Sequence, residues 1–156
     1  MTTGDVRVVS LASHSQHVPA LIEAFATQWP AWCGSVPRSE VERCFACAVS
    51  GALPQAFVAL ERDTPIGTIS LRPYFADEPM AQTPWVRGLL VLPRWRGGPA
   101  FRMLGDTVEQ AARAMGFGYL HAATTSIERL IVRKGWEVFE RPERGGERFA
   151  FLRKRL

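Results

Sequence analysis

The segment from Leu89 to Leu104 constrains the fold of this chain more than any other. Residues 89–92 form a continuous apolar run, which predicts a strand that is covered on both faces. Residues 93–98 form a basic turn with two glycines, and from Pro99 to Gly116 apolar residues recur every three or four positions, as in a long helix. A central strand that leads through a turn into a helix predicts a mixed α/β sheet.

The turn at residues 93–98 has the features of an anion site. Backbone N–H groups at a glycine turn and at a helix N-terminus point toward a phosphate, and the helix dipole adds partial positive charge. Arg94 and Arg96 contribute two full charges. The same residues are also compatible with a purely structural turn that carries solvated arginines, because short glycine turns are weak motifs.

The remaining pattern predicts further strands and helices on both sides of this segment. Strands are predicted over 6–11, 55–62, 64–72, 85–92, 119–123, 136–141 and 148–152, and helices over 17–28, 39–51, 99–116 and 126–135. Ser39 with Glu42 resembles a capping box, and Ser126 is predicted to cap the last helix. Residues 30–38 and 73–84 are predicted loops.

The bulk properties are those of one globular domain. The 156 residues predict a single domain over 1–156, and no apolar run approaches the ~20 residues that cross a bilayer. The N-terminus lacks the pattern of a secretory signal, and three cysteines fit a reducing compartment, so a cytoplasmic location is expected. A net charge of +4 suits an anionic ligand or nucleic acid; we interpret the basic residues 153–155 as solvated, and expect neither a nucleic-acid nor a membrane partner.

One motif resembles a known family. The pattern Leu89-x-Val91-x-Pro93-x-x-Arg96-Gly97 before a helix is similar to the acetyl-CoA segment of the GNAT N-acetyltransferases. Similarity extends to residues 67–68, 83–85 and 135–136, and so to nearly the whole chain. The resemblance implies the GNAT fold: a mixed, mostly antiparallel central sheet flanked by helices on both faces.

The resemblance also implies a ligand and a reaction. Acetyl-CoA is the expected cosubstrate, and a primary amine on a small molecule or peptide would attack its thioester directly. The central strand would splay from its neighbour to admit the pantetheine arm, with the pyrophosphate on the following turn. The implied cofactor-binding residues are Leu89, Leu90, Val91, Arg96, Gly97, Gly98, Ala100, Phe101 and Thr124.

Two departures from the family pattern bear on activity. The family's Arg-Gly-x-Gly-x-Gly turn is replaced at residues 96–101 by Arg-Gly-Gly-Pro-Ala-Phe, in which Pro99 lacks an N–H donor and Phe101 adds bulk. We therefore expect weakened or reshaped cofactor binding. Ile131 occupies the position of a tyrosine that protonates the departing thiolate in many members, so Tyr119, Ser126 or water would have to serve instead.

The general base is open on the sequence. Glu78 and Asp77 lie in the predicted loop before the central strand, where carboxylates are usually solvated. His121 lies on the following strand and has a suitable intrinsic pKa, although a lone strand histidine is more often a packing residue. We carry Glu78, His121 and Tyr119 as the candidate catalytic residues.

Other residue groups have alternative interpretations. Cys44 and Cys47 could form a zinc site with Cys33 and with His14 or His17, but small apolar packing explains the cysteines more simply and no metal is expected. The aromatic residues Trp29, Trp32, Tyr74, Phe75 and Trp85 either line an acceptor pocket or belong to the core. The alternative to an enzyme is a catalytically weak or inactive module that binds CoA or a small ligand. Pairing of the last hairpin between subunits would give a homodimer.

Overall fold

The computed structural model describes residues 4–76 and 79–156. Nine strands are present in this part of the chain: β1 (Val6–Ser10), β2 (Gln55–Glu61), β3 (Thr64–Arg72), β4 (Trp85–Val91), β5 (Tyr119–Thr124), β6 (Glu137–Glu140), β7 (Glu143–Arg144), β8 (Glu147–Arg148) and β9 (Ala150–Arg155). The α-helices are α1 (Val18–Gln28), α2 (Pro30–Ser35), α3 (Arg38–Arg43), α4 (Ala100–Ala114) and α5 (Glu128–Arg133). No helix of the described residues is long and apolar enough to cross a membrane.

Seven strands form one sheet in the order β1-β2-β3-β4-β5-β9-β6, and β7 and β8 form a separate short hairpin. All neighbours in the large sheet are antiparallel except β4 and β5. The mixed, mostly antiparallel sheet predicted from the sequence is therefore confirmed.

Helices cover the sheet on both faces because side chains alternate along each strand. On one face, Leu21 and Phe25 of α1 pack with Val58 and Leu60 of β2. On the other, α4 packs against β3 and β5; this cluster contains Leu104, Val108, Ile69, Leu71 and Leu120. The two clusters share the central sheet, so β4 is held from both sides as its apolar run predicts.

A β-bulge interrupts β4 in its middle. Thr68 of β3 pairs with Leu90, whereas Ser70 pairs with Arg87, so β4 contains one residue more than β3 over this interval. Gly88 takes up the extra length at φ 62°, a backbone conformation that glycine adopts without strain. The bulge redirects the second half of β4.

Strands β4 and β5 pair at one position only. Trp85 lies opposite His121, and the His121 N–H donates to the Pro84 carbonyl oxygen at 3.1 Å. Beyond this point neither strand is paired with the other, and the backbone of β4 from Val86 to Val91 faces an opening toward β5. The splay implied by the family resemblance is present.

Three local predictions were wrong. Residues 30–35 form α2 rather than a loop, because Pro30 is favoured in the first turn of a helix. The next helix ends at Arg43, with Pro37 rather than Ser39 preceding it and no side-chain cap, so the capping box does not form. Ser126 does not cap α5, which begins after Ile127 without a side-chain cap; Thr124 Oγ1 instead accepts the Ser126 and Ile127 N–H groups before the helix, each at 3.1 Å.

Candidate functional site

The opening between β4 and β5 is a cleft of about 830 Å³. One wall is the edge of β4 from Val86 to Val91, which does not pair with β5, and the other is formed by the end of β5 and by α5. Predicted cofactor-binding residues that line it are Leu89, Leu90, Val91, Arg96, Gly97, Gly98, Phe101 and Thr124. The structure thus brings together residues that are up to 35 positions apart in the chain.

The turn before α4 closes one end of this cleft. Gly97 has φ 83°, and the Gly98 N–H donates to the Trp95 carbonyl oxygen at 3.3 Å. The Arg96 side chain folds back to β4: its Nε donates to the Val91 carbonyl oxygen at 2.9 Å, and its Nη2 donates to Gln28 Oε1 at 2.7 Å. The turn is therefore tied to the strand that it follows.

The N-terminus of α4 directs donors toward the same end of the cleft. In the first turn of a helix the N–H groups have no acceptor within the helix, which here concerns residues 100–102. The 15 residues of α4 place the positive end of the helix dipole at this turn. Arg96, Arg102 and Lys134 in the cleft wall add positive charge, so this end of the cleft suits an anion.

The two unusual residues of the turn occupy different environments. Phe101 is half-buried in the cleft wall, and Lys134 Nζ lies 5.7 Å from the centroid of its ring. Ala100 is 1% exposed, and its side chain packs in the core cluster of α4 rather than in the cleft wall. Pro99 precedes the helix at φ −77°, a value that proline adopts readily.

The α5 side of the cleft is largely apolar. Leu130 and Ile131 line it together with Ile127. Ile131, at the position of the family's tyrosine, faces the cleft but has no ionisable group. Hydroxyl groups at this end come from Thr124, Thr125 and Ser126.

His121 and Tyr119, two of the three candidate catalytic residues, do not line the cleft between β4 and β5. His121 is 7% exposed, packs against the rings of Trp85 and Phe139 at centroid distances of 5.4 and 5.9 Å, and has its Nδ1 3.0 Å from the Pro84 carbonyl oxygen. Burial lowers the pKa of His121, the Pro84 hydrogen bond opposes that shift, and Arg153 adds to it. Tyr119 is 39% exposed at the start of β5, with the Arg153 guanidinium 5.5 Å from its ring.

The third candidate, Glu78, and its neighbour Asp77 lie outside the described residues. Ala76, which precedes them, lines a cleft other than the one between β4 and β5.

A second cleft of about 520 Å³ lies on the α1 side of the bulge. Trp29, Arg87 and Gly88 line both clefts, so the two meet at the bulge. Four of the five aromatic residues singled out in the sequence line the second cleft: Trp29, Trp32, Tyr74 and Phe75. The fifth, Trp85, is fully buried, and its Nε1 donates to the Gln82 carbonyl oxygen at 2.8 Å.

Sequence reasoning missed the charged residues of this second cleft. Arg72 and Arg87 both lie in its wall. The available signal was one arginine in each of two neighbouring strands: Arg72 is the last residue of β3, and Arg87 lies within β4. Without the register of the two strands, that signal does not place the two side chains together.

The cysteines take part in packing and hydrogen bonding. Cys47 Sγ accepts the Ala56 N–H at 3.3 Å, and Cys44 Sγ lies 3.7 Å from the Glu40 carbonyl oxygen. All three are free thiols. Across residues 4–76 and 79–156, no group of three or more histidine, cysteine, aspartate or glutamate side chains could hold a metal ion.

Comparison with protein-family models decides the family. The model of the acetyltransferase (GNAT) family matches residues 18–133. This chain belongs to the GNAT acetyltransferase family. The match contains the splayed strand, the turn and α4 described above, so the family assignment made from Leu89 to Gly97 is confirmed.

Solved structures show the same fold at low sequence identity. A crystal structure of aminoglycoside 6'-acetyltransferase type Ii has a TM-score of 0.77 at 14% identity, with 96% of each chain covered. An aminoglycoside 6'-N-acetyltransferase complexed with coenzyme A gives 0.76 at 13% identity, again with 96% of each chain covered. An acetyltransferase from Streptococcus agalactiae gives 0.69 at 18% identity over 97% of this chain and 98% of that one. No curated protein matches the sequence.

Proposed function

We propose that this GNAT protein transfers an acetyl group from acetyl-CoA to a primary amine, and that the cosubstrate lies in the cleft between β4 and β5. The observation that carries the proposal is the meeting of two features in one cleft. An unpaired stretch of β4 supplies backbone donors and acceptors, and the N-terminus of α4 supplies amides and positive charge.

Two parts of the cosubstrate, the pantetheine arm and the pyrophosphate, would each have a matching part of the cleft. The amide groups of pantetheine would pair with the backbone of Leu89–Val91, as an added strand pairs with a sheet edge. The pyrophosphate would lie against the amides of the turn and of residues 100–102, with Arg102 and Lys134 near its charge. Ala100 would contribute only its backbone N–H, because its side chain is in the core.

The second cleft would hold the acceptor on the other side of the bulge. A neutral amine nitrogen attacks the acetyl carbonyl carbon, the carbon–sulfur bond breaks, and the thiolate leaves with the electron pair. The nitrogen loses one proton to a base, and the thiolate gains one from an acid or from water. We propose Glu78 as the base, since Ala76, two positions before it in the sequence, lines the second cleft.

Ser126 is the proposed source of the thiolate's proton, because it lines the cofactor cleft beside Ile131. His121 and Tyr119 remain predictions from the sequence. Their positions favour packing and surface roles respectively.

A second candidate function is a CoA-binding module that performs no transfer. The apolar wall at Leu130 and Ile131 favours it, since no ionisable acid occupies the position that the family uses. The aminoglycoside acetyltransferases share only the fold with this chain and do not decide between the two functions.

Calorimetric titration of the full chain with acetyl-CoA, followed by mass spectrometry of products from an amine panel, separates the candidates. Mass spectrometry is preferable to a thiol reagent because the chain has three free cysteines of its own. Binding with an acetylated product supports the enzyme, and binding with no product in any reaction supports the module. The absence of any heat of binding would refute both.

A further inference from the structure

The second cleft contains a cationic group that the acetyl-transfer reaction does not itself require. We propose that the acceptor carries a carboxylate as well as its amine, and that the half-buried guanidinium of Arg72 binds this carboxylate. The inference rests on the proposed function, because it assigns the second cleft to the acceptor.

The strand register brings two arginines to one face of the sheet. Ser70 pairs with Arg87 and Arg72 pairs with Trp85 across β3 and β4. Residues two apart on a strand share a face, so Arg72 and Arg87 are diagonal neighbours on the face that lines the second cleft.

Cys44 lines the same cleft as the two arginines. Burial raises the pKa of this thiol, and Arg72 and Arg87 each oppose that shift through their charge. A neutral thiol does not compensate the charge of either guanidinium.

Charge in the described part of the wall is in excess on the positive side. Glu40 is the acidic residue among the described lining residues, and it forms an ion pair with Arg43 at 2.9 Å. No carboxylate of the described residues forms an ion pair with Arg72. A guanidinium presents parallel N–H donors that match a carboxylate, which makes a carboxylate ligand the natural partner.

Arg87 is held over an aromatic wall at the junction of the clefts. Its guanidinium lies 4.7 Å from the centroid of Phe75 and donates to the Phe75 carbonyl oxygen. Because Arg87 also lines the cofactor cleft, a carboxylate between the arginines would lie beside the place where the two substrates meet. The amine and the carboxylate of the acceptor would then be separated by few bonds, as in an amino acid. Trp29 and Trp32 supply surface for its apolar side chain.

The test measures the binding of acetylated products, which requires no turnover. The full chain, saturated with CoA, is titrated with N-acetylphenylalanine and with N-acetylphenylalaninamide, which differ only in the carboxylate. A hydrogen-bonded charge pair predicts roughly ten- to hundredfold tighter binding of the acid. Arg72→Gln removes this preference and leaves the affinity for CoA and for the amide unchanged, whereas the exposed Arg113→Gln on α4 retains the preference.

Several results would overturn the inference. Equal affinity for the acid and the amide is one, and an Arg72→Gln protein that still prefers the acid is another. The third is binding of the polycation spermine that is tighter than binding of the acid, and the fourth is no binding of the acid at millimolar concentration. The titration with CoA alone distinguishes the two proposals. If CoA fails to bind, the proposed function falls; if CoA binds and the carboxylate preference is missing, only the present inference falls.

Discussion

The two clefts that meet at Gly88 are built in different ways. The cleft between β4 and β5, the proposed cofactor cleft, is lined by the backbone of β4, of the turn and of α4, which are consecutive in the sequence. The second cleft, the proposed acceptor cleft, takes its polar groups from side chains on α3, β3 and β4, which are far apart in the chain. A backbone site depends on glycines and on element ends, whereas a side-chain site depends on the identity of a few residues.

This difference explains why the first cleft has a sequence signature and the second has none. Backbone amides converge when a strand, a turn and a helix follow one another, and that order is visible as a motif. In the second cleft, Arg72 and Arg87 converge only through the register of β3 against β4. Substitutions on the two sides should therefore have different consequences.

The largest effect is expected for a glycine of the cofactor turn. Gly97→Val places a branched side chain at φ 83° and should displace the amides that face the pyrophosphate, weakening CoA binding by roughly ten- to hundredfold in calorimetry. Gly116→Val is the matched control: Gly116 has φ 89° at the end of α4, outside the cleft wall. Equal loss of affinity in both variants would show that the effect is general strain.

The fold was largely predictable from the sequence, and the reason lies in particular elements. The apolar residues of β2 and β3, the apolar run of β4 and the 3.6-residue period of α4 each determine one element with little help from distant residues. Residues 30–47 were predicted poorly, because two short helices punctuated by Pro30 and Pro37 have no sustained period.

The location of the proposed cosubstrate site was predictable only where the backbone forms the cleft. Leu89–Val91 and residues 96–98 line the cleft between β4 and β5, and their contacts with a cosubstrate stay a prediction. His121 was attractive as a base because a strand histidine cannot be assigned to the core or to a cleft from its own position. Its contacts with Trp85 and Phe139 come from two other strands, and no local pattern predicts them.

A tyrosine at position 131 should sharpen the account of the cofactor cleft. Ile131→Tyr places a hydroxyl where the family has its acid, and acid catalysis predicts a rise in kcat of about tenfold or more with an active amine. Ile131→Phe adds a similar ring without the hydroxyl and should leave kcat near the wild-type value. Equal values for the two variants would mean that leaving-group protonation does not limit the rate.

Gly88 is where a single change should affect both clefts. A Cβ atom at Gly88 would lie 3.2 Å from Phe25 Cζ, and φ 62° is unfavourable for alanine. Gly88→Ala should cost about 1–3 kcal/mol, lower Tm by about 2–4 °C for each kcal/mol, and raise KM for both substrates. Gly105 lies within α4, and a Cβ atom there would meet no atom within 4 Å. Gly105→Ala should therefore leave Tm unchanged or raise it.

The acceptor cleft can be probed through the ionisation of Cys44. In a chain with Cys33→Ser and Cys47→Ser, burial should place the midpoint of iodoacetamide alkylation above pH 9.0, because the thiolate is the reactive form. Arg72 opposes this shift, so Arg72→Gln should move the midpoint still higher. A midpoint below pH 9.0 would contradict the burial of this thiol beside the arginines.

The smallest effect concerns the point where β4 and β5 still pair. Burial lowers the pKa of His121 below 6.5, so the folded chain binds fewer protons than the unfolded chain as the pH falls through that value. The free energy of unfolding should decrease as the pH falls below about 6.5, and His121→Gln should make that decrease shallower. The free energy of unfolding is measured by urea denaturation at several pH values. If its dependence on pH is the same with and without His121→Gln, His121 is accessible to protons in the folded chain.

Amide chemical shifts during a titration with CoA test the central claim most directly. The ¹⁵N-labelled full chain should show its largest shifts at Leu89, Val91, Gly97, Phe101 and Arg102, which lie along β4, the turn and α4 on one side of the opening between β4 and β5. Shifts confined to another surface, or none at saturating CoA, would contradict the assignment of this opening to the cosubstrate.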